Sequence, residues 1–228
     1  MTAKGRRASL SRCHFRPPPW AQELPSALVE NRVEKVQGKM NVEQTVLARR
    51  SATRLTGPGP DDRELAELVE LAMTAPDHGR LSPWRLVVLR GDERRLLGEA
   101  MAEAAGGEPA DRERTAAKPL RAPLLITVVL CPRDHPKVPR WEQLAATVCA
   151  VQTLILLLHE RGWGSVWRTG ALTDAPPVRG VLGLADTEQS LGWLYVGTPD
   201  ARRPAAPRPP VDARSKLSSL LAPVGPGA

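Results

Sequence analysis

From residue 141 to 161 the chain runs WEQLAATVCAVQTLILLLHER with neither glycine nor proline, and over 144–158 it is apolar on nearly every side. A helix without a polar face must be covered by neighbours on several sides, so the rest of the chain has to supply a layered core around it. The apolar stretch is about half to three quarters of a membrane span of ~20 residues. Thr147, Gln152 and Thr153 interrupt it, and His159, Glu160 and Arg161 close it. It reads as a deeply buried helix of a protein that has no membrane as partner.

The flanking sequence supplies such layers. Asp61 and Asp62, after Pro60, can cap a helix in which Leu65, Leu68, Val69 and Ala72 recur at helical spacing, with Pro76 closing it. Residues 84–89 read as a strand, and Gly91-Asp92 opens an amphipathic helix that runs to about Ala105. Gly106-Gly107-Glu108-Pro109 reads as a loop. The run APLLITVVL (122–130) has the apolar, β-branched character of a strand covered on both faces. Gly162-Trp163-Gly164 breaks the long helix; a short strand at 165–168, a helix near 176–182 and a last strand at 191–196 follow. Gly197-Thr198-Pro199 reads as a turn. The pattern is a layered α+β or α/β domain, without an internal repeat.

The net charge of +7 would suggest a nucleic-acid or anionic-surface partner if it lay on the folded part. It does not. Residues 1–40 carry eight Lys/Arg against three Asp/Glu, residues 201–228 five against one, and 41–200 the remaining 19 against 21. The basic balance belongs to two tails, and no nucleic-acid partner is expected. The leader, 1–40, contains RPPPW (16–20) and is expected to be disordered, with Met40 a candidate natural start. The Pro- and Arg-rich tail, 201–228, reads the same way, apart from a short helix near 215–221. Cys13, Cys131 and Cys149 show no paired spacing, so neither a disulfide framework nor a metal site is indicated; Cys131 and Cys149 read as small core residues. No secretory signal is evident, and a cytoplasmic location is expected.

Four clusters could carry chemistry. Arg49-Arg50-Ser51 stands at the end of the first helical segment, where forked, permanently charged donors suit a phosphate but also complement a helix dipole. His78 lies on the turn Ala75-Pro76-Asp77-His78, ahead of Pro83-Trp84, and can be a ligand contact or a surface histidine. Lys137-Val138-Pro139-Arg140-Trp141-Glu142 leads into the long helix and suits a pocket lining, a subunit contact or plain capping. Trp167-Arg168-Thr169-Gly170 sits at a strand exit, where ligand sites commonly form. There is no phosphate-binding Walker loop, no nucleophile elbow, no metal-spaced histidine pair and no GxGxxG opening a βα unit. The residues alone point to an enzyme-like domain with candidate phosphate-binding arginines, and they name no cofactor.

Taken in order, RRSATR (49–54), APDH (75–78) with PW (83–84), RAPLLITVV (121–129), KVPRWEQ (137–143), WRTGALT (167–173) and LYVGTP (194–199) resemble the FMN-dependent nitroreductase family, most closely its short bacterial NAD(P)H nitroreductase branch. The resemblance spans about 41–199, and six motifs in the right order carry it. It implies a homodimeric, nitroreductase-like α+β fold over 41–200, with FMN at the subunit interface and the long helix in the dimer core. It also implies an NAD(P)H oxidoreductase that reduces small-molecule acceptors, nitro or quinone compounds, by a ping-pong cycle. Arg49, Arg50 and Ser51 would contact the FMN phosphate or pyrimidine edge, His78 the flavin, and Trp167, Arg168 and Thr169 further parts of FMN. No side chain is required as nucleophile or acid. The chain departs from the pattern at Thr74, where relatives often place an arginine, so a cationic flavin contact is missing there. That leaves a flavin-binding protein with little turnover, a sensor or carrier, as the alternative, alongside a dehydrogenase or oxidase of a specialised pathway. Thr169 in place of a serine keeps the hydroxyl.

Overall fold

The computed structural model describes residues 41–200, 202 and 212–217. The expectations for residues 1–40 and for most of the tail lie outside the described residues; among the described residues of the tail, Ala213–Lys216 form a 3-10 turn.

Helix α1 (Val42–Ala48) starts at Asn41, whose side chain accepts from the Gln44 amide while Gln44 reaches back to the Asn41 amide. Strand β1 (Leu55–Thr56) is short, and helix α2 (Asp62–Ala72) is capped by Asp61 as its sequence requires. α2 ends before Pro76: the chain leaves the helix at Met73, and the Thr74 hydroxyl donates to the Leu71 carbonyl. Strand β2 (Trp84–Leu89), helix α3 (Glu93–Ala105) and strand β3 (Leu124–Leu130) agree with the apolar patterns. Between the last two, helix α4 (Pro109–Ala116) follows the glycine loop; its low apolar content hides it from a periodicity reading. Helix α5 (Arg140–Glu160), strand β4 (Gly164–Arg168), helix α6 (Pro176–Val181) and strand β5 (Gln189–Pro199) complete the domain.

β5 organises the sheet, pairing antiparallel with β3, β4 and β1, while β2 lies outside β3. Residues 197–199 are therefore strand and not the expected turn, because Thr198 and Pro199 pair with Thr56 and Leu55 of β1. Alternation along β3 divides the core in two. Leu124, Ile126 and Val128 pack with Leu65 and Leu68 of α2 and with Val151, Leu154, Ile155 and Leu158 of α5. Leu125 faces the other way, toward Leu97 and Met101 of α3 and Val178 of α6. The sheet is thus covered on both faces, as the all-apolar β3 demands.

α5 departs from expectation in an informative way. Its buried positions, Gln143, Ala146, Thr147, Ala150, Val151, Leu154, Ile155 and Leu158, form one helical face turned to the sheet. Trp141, Leu144 and Val148, along one flank of that face, and Cys149, behind it, are exposed, Trp141 by 67%. Among the described residues the helix is not covered on every side, and Cys149 is not a core residue; Cys131 is. By length and hydropathy α5 would suit a membrane span, yet one face is committed to the protein core. It ends in a left-handed Gly162 (φ 85°), with the Trp163 amide donating to Leu158 and the Gly162 amide to His159, a Schellman arrangement.

Candidate functional site

Arg49, Arg50 and Ser51 leave α1 and run beside β4. Ser51 forms a parallel bridge with Ser165, and the Ala52 amide donates to the Ser165 carbonyl at 2.9 Å. The Arg50 guanidinium folds back on the helix end, donating to the carbonyls of Leu47 and Arg49. His159, in the last turn of α5, is close to both arginines. Burial, then the charges of Arg49 and Arg50, hold its pKa below the ordinary histidine value. Its Nε2 is buried and has no hydrogen-bond partner among the described residues. This group combines guanidinium forks and a hydroxyl around a helix end, a donor set that fits a phosphate.

The second group stands at the other end of α5. His78 lies in a 3-10 turn (His78–Arg80), and its Nδ1 is 2.6 Å from Glu142 Oε2 in the first turn of α5. Thr74, exposed, spends its hydroxyl on Leu71. From Glu142 to His159 the helix rises ~1.5 Å per residue, so about 25 Å separates the two groups. Both cannot reach one small ligand from a single chain.

Trp167, Arg168 and Thr169 are divided by strand alternation. The Trp167 indole is turned into the core beside α5, and its Nε1 donates to the Leu191 carbonyl at 3.1 Å. Arg168 leaves the opposite face, with its guanidinium 5.9 Å from the centre of the Tyr195 ring. Burial raises the Tyr195 pKa, against the charges of Arg168 and Arg121. Thr169 is exposed, packed by its methyl close to Gly192 (φ 105°), where a Cβ would meet the Arg168 carbonyl at 2.3 Å. Only glycine fits that position.

Glu142 and His159 belong to these clusters although neither was singled out as a site residue from sequence. Glu142 stood in a motif whose capping reading was equally good, and His159 gave no signal beyond closing an apolar run.

A cavity of about 490 Å³ opens elsewhere, lined by residues that include Arg133, Arg140, Asp174, Arg179 and Glu188. Arg179 is paired with Asp174, Glu188 with Arg85, and Arg140 donates to Gln189. None of the residues expected to hold flavin lines it, and no ligand is assigned to it.

Comparison with known proteins bears on the same span. A family model described as "Nitroreductase family" matches residues 46–198. The Escherichia coli (strain K12) protein named "Putative NAD(P)H nitroreductase YdjA" is 36% identical over 166 residues, covering 72% of this chain and 91% of that protein. The crystal structure of a nitroreductase-like family protein from Bacillus cereus superposes with a TM-score of 0.71 at 25% identity, covering 82% of this chain and 99% of the other. The FMN and NADPH-dependent nitroreductase NfnB from "sphigopyxis sp. strain HMH" shares the fold at a TM-score of 0.63 and 22% identity, covering 79% and 99%.

Proposed function

Because the chain belongs to the nitroreductase family, we propose that it is a homodimeric, FMN-dependent NAD(P)H oxidoreductase that reduces nitro or quinone-type acceptors by a ping-pong cycle. The observation that carries this reading is the division of the site. Arg49, Arg50 and Ser51 gather at one end of α5, Thr74 and His78 at the other, and an exposed apolar stripe, Trp141, Leu144 and Val148, runs along the helix toward the middle. Antiparallel pairing of two copies through that stripe covers the apolar surface and brings the ends of opposite helices together. Each complete site then takes the arginine group from one copy and the His78 group from the other. The related NfnB is described as FMN and NADPH-dependent, which supports the choice of cofactor and reductant.

When bound, FMN would supply the hydride-accepting and hydride-donating centre. The residues of this chain have a binding task. Arg49, Arg50 and Ser51 offer charge-assisted and hydroxyl donors to the phosphate. Arg168 and Thr169, at the exit of β4, would add further contacts, Arg168 supplying positive charge, while the Trp167 indole supports the strand from the core side. His78 addresses the ring system from the second copy. Positive charge near the flavin favours its anionic reduced form, as any charge partner favours an ionised group. Thr74 contributes no cation and has its hydroxyl engaged, which keeps a second reading in play: a flavin-binding protein with little turnover.

The deciding measurement is the visible spectrum of the full chain, before and after anaerobic NADH or NADPH, followed by a nitroaromatic or a quinone. Flavin bands that bleach and then recover establish the cycle. Flavin that binds but does not bleach favours the carrier reading. A colourless protein that takes up no added FMN refutes both.

A further inference from the structure

Two motifs far apart in sequence, 75–84 and 137–143, are docked on one another. Asp77 closes the first into a rigid loop by accepting from the Ser82 amide at 2.6 Å. Within the loop Gly79 (φ 76°), Arg80 (φ 52°) and Ser82 (φ 44°) are left-handed, and for the last two that conformation is costly. The loop lies against Val138, whose Cγ2 would sit 3.4 Å from a Cβ at position 79. The second motif is clamped as well: the Gln143 amide group bonds the Arg133 amide and carbonyl and the Val138 carbonyl. This double fixation sets His78 Nδ1 2.6 Å from Glu142 Oε2.

An acidic residue in the first turn of a helix complements the dipole, and that role alone would explain a glutamate at 142. It would not explain a histidine held against it by a strained loop. Nor is the pair a large source of stability, since the His78 side chain is 60% exposed. What the contact does determine is the ring's chemistry. An ionised carboxylate can only accept, so Nδ1 must carry the proton, and a neutral ring then has Nε2 as an acceptor.

We propose that Glu142 is a positioning residue: it fixes His78 in the Nδ1–H tautomer, so that Nε2 meets an N–H group of the bound ligand. The inference rests on the flavin reading above, and the oxidised flavin ring offers one such group, the N–H of its pyrimidine edge. Metal sites use the same device: a carboxylate that accepts from one ring nitrogen of a histidine fixes its tautomer and aims the other nitrogen.

The test uses the full-length dimer with ¹⁵N-labelled histidine, at a pH where the ring is neutral. Long-range ¹H–¹⁵N spectra, assigned by the signal lost in His78→Asn, report which ring nitrogen bears the proton. The wild type should show protonated Nδ1 and an Nε2 signal that moves on adding FMN. Glu142→Gln, whose amide can donate as well as accept, should show mixed tautomers and bind FMN about tenfold more weakly. Glu142→Asp, which keeps the carboxylate, should retain the tautomer. An unchanged tautomer or unchanged FMN affinity in Glu142→Gln overturns the proposal while leaving the flavin reading intact. A wild type that binds no FMN overturns both, and that result is recognisable because it does not depend on the variant.

Discussion

Single residues show how far burial alters what a side chain can do here. His159 is kept below the ordinary histidine value of 6.5, first by burial and then by Arg49 and Arg50. Its folded pKa is the lower one, so between that value and about 6.5 the unfolded chain holds more protons and stability falls as the pH falls. Glu188 does not confuse that window. Burial would raise its pKa, but hydrogen bonds from Arg85, Cys131 and the Ala185 amide hold it at about 2, so its contribution fades only as the pH drops below about 4.5. His159→Leu should therefore flatten the loss of melting temperature between pH 7.5 and 5.5; parallel curves for variant and wild type would show that His159 titrates normally. At the arginine group, Arg49→Ala should weaken FMN binding by about 1.5–3 kcal/mol, the usual worth of a charge-assisted contact. Fluorescence titration checks this, and full affinity in the variant would move the phosphate elsewhere.

Elements are joined here by close backbone approach as much as by side-chain packing. α3 and α4 meet at Gly98, where a Cβ would lie 2.2 Å from the Ala116 carbonyl oxygen. Gly98→Ala, although it favours helix in isolation, should cost about 1–3 kcal/mol through overpacking and lower the melting temperature by ~2–4 °C per kcal/mol. A calorimetric scan showing no loss would mean that α4 can slide. Element identity was largely legible beforehand where apolar spacing was strong: Trp84–Leu89 and Glu93–Ala105 stand where the patterns put them. α4 and β1 were not legible, because eight mostly polar residues and a two-residue strand carry no periodicity. Residues 197–199 misled for a different reason. A Gly-Thr-Pro sequence looks like a turn until the β1 partner, more than 140 residues earlier, makes it strand.

At the scale of the whole molecule, the proposed function turns on one exposed face of α5. If the exposed stripe of α5 joins two copies, Val148→Glu should place a charge in that contact, yielding a monomer in sedimentation with unchanged far-ultraviolet circular dichroism and little bound FMN. A variant that stays dimeric and yellow would put the interface elsewhere. The candidate site divides along the same lines. By itself the residue pattern determined a layered domain, α+β or α/β, through an apolar helix and an apolar strand that only a covered sheet can accommodate, and the family resemblance narrowed it to α+β. It also singled out the arginine cluster as a candidate, because adjacent guanidinium groups and a hydroxyl suit an anion as well as a helix dipole. Tertiary structure alone decided which groups meet. It set Glu142 on His78 and His159 beside Arg49 and Arg50, turned Trp167 and Arg168 to opposite faces of β4, and left one side of α5 uncovered by the described residues. The physical reason is that hydrophobic periodicity encodes which side of an element is buried, while the partner it meets depends on sheet order and register, which no local pattern carries.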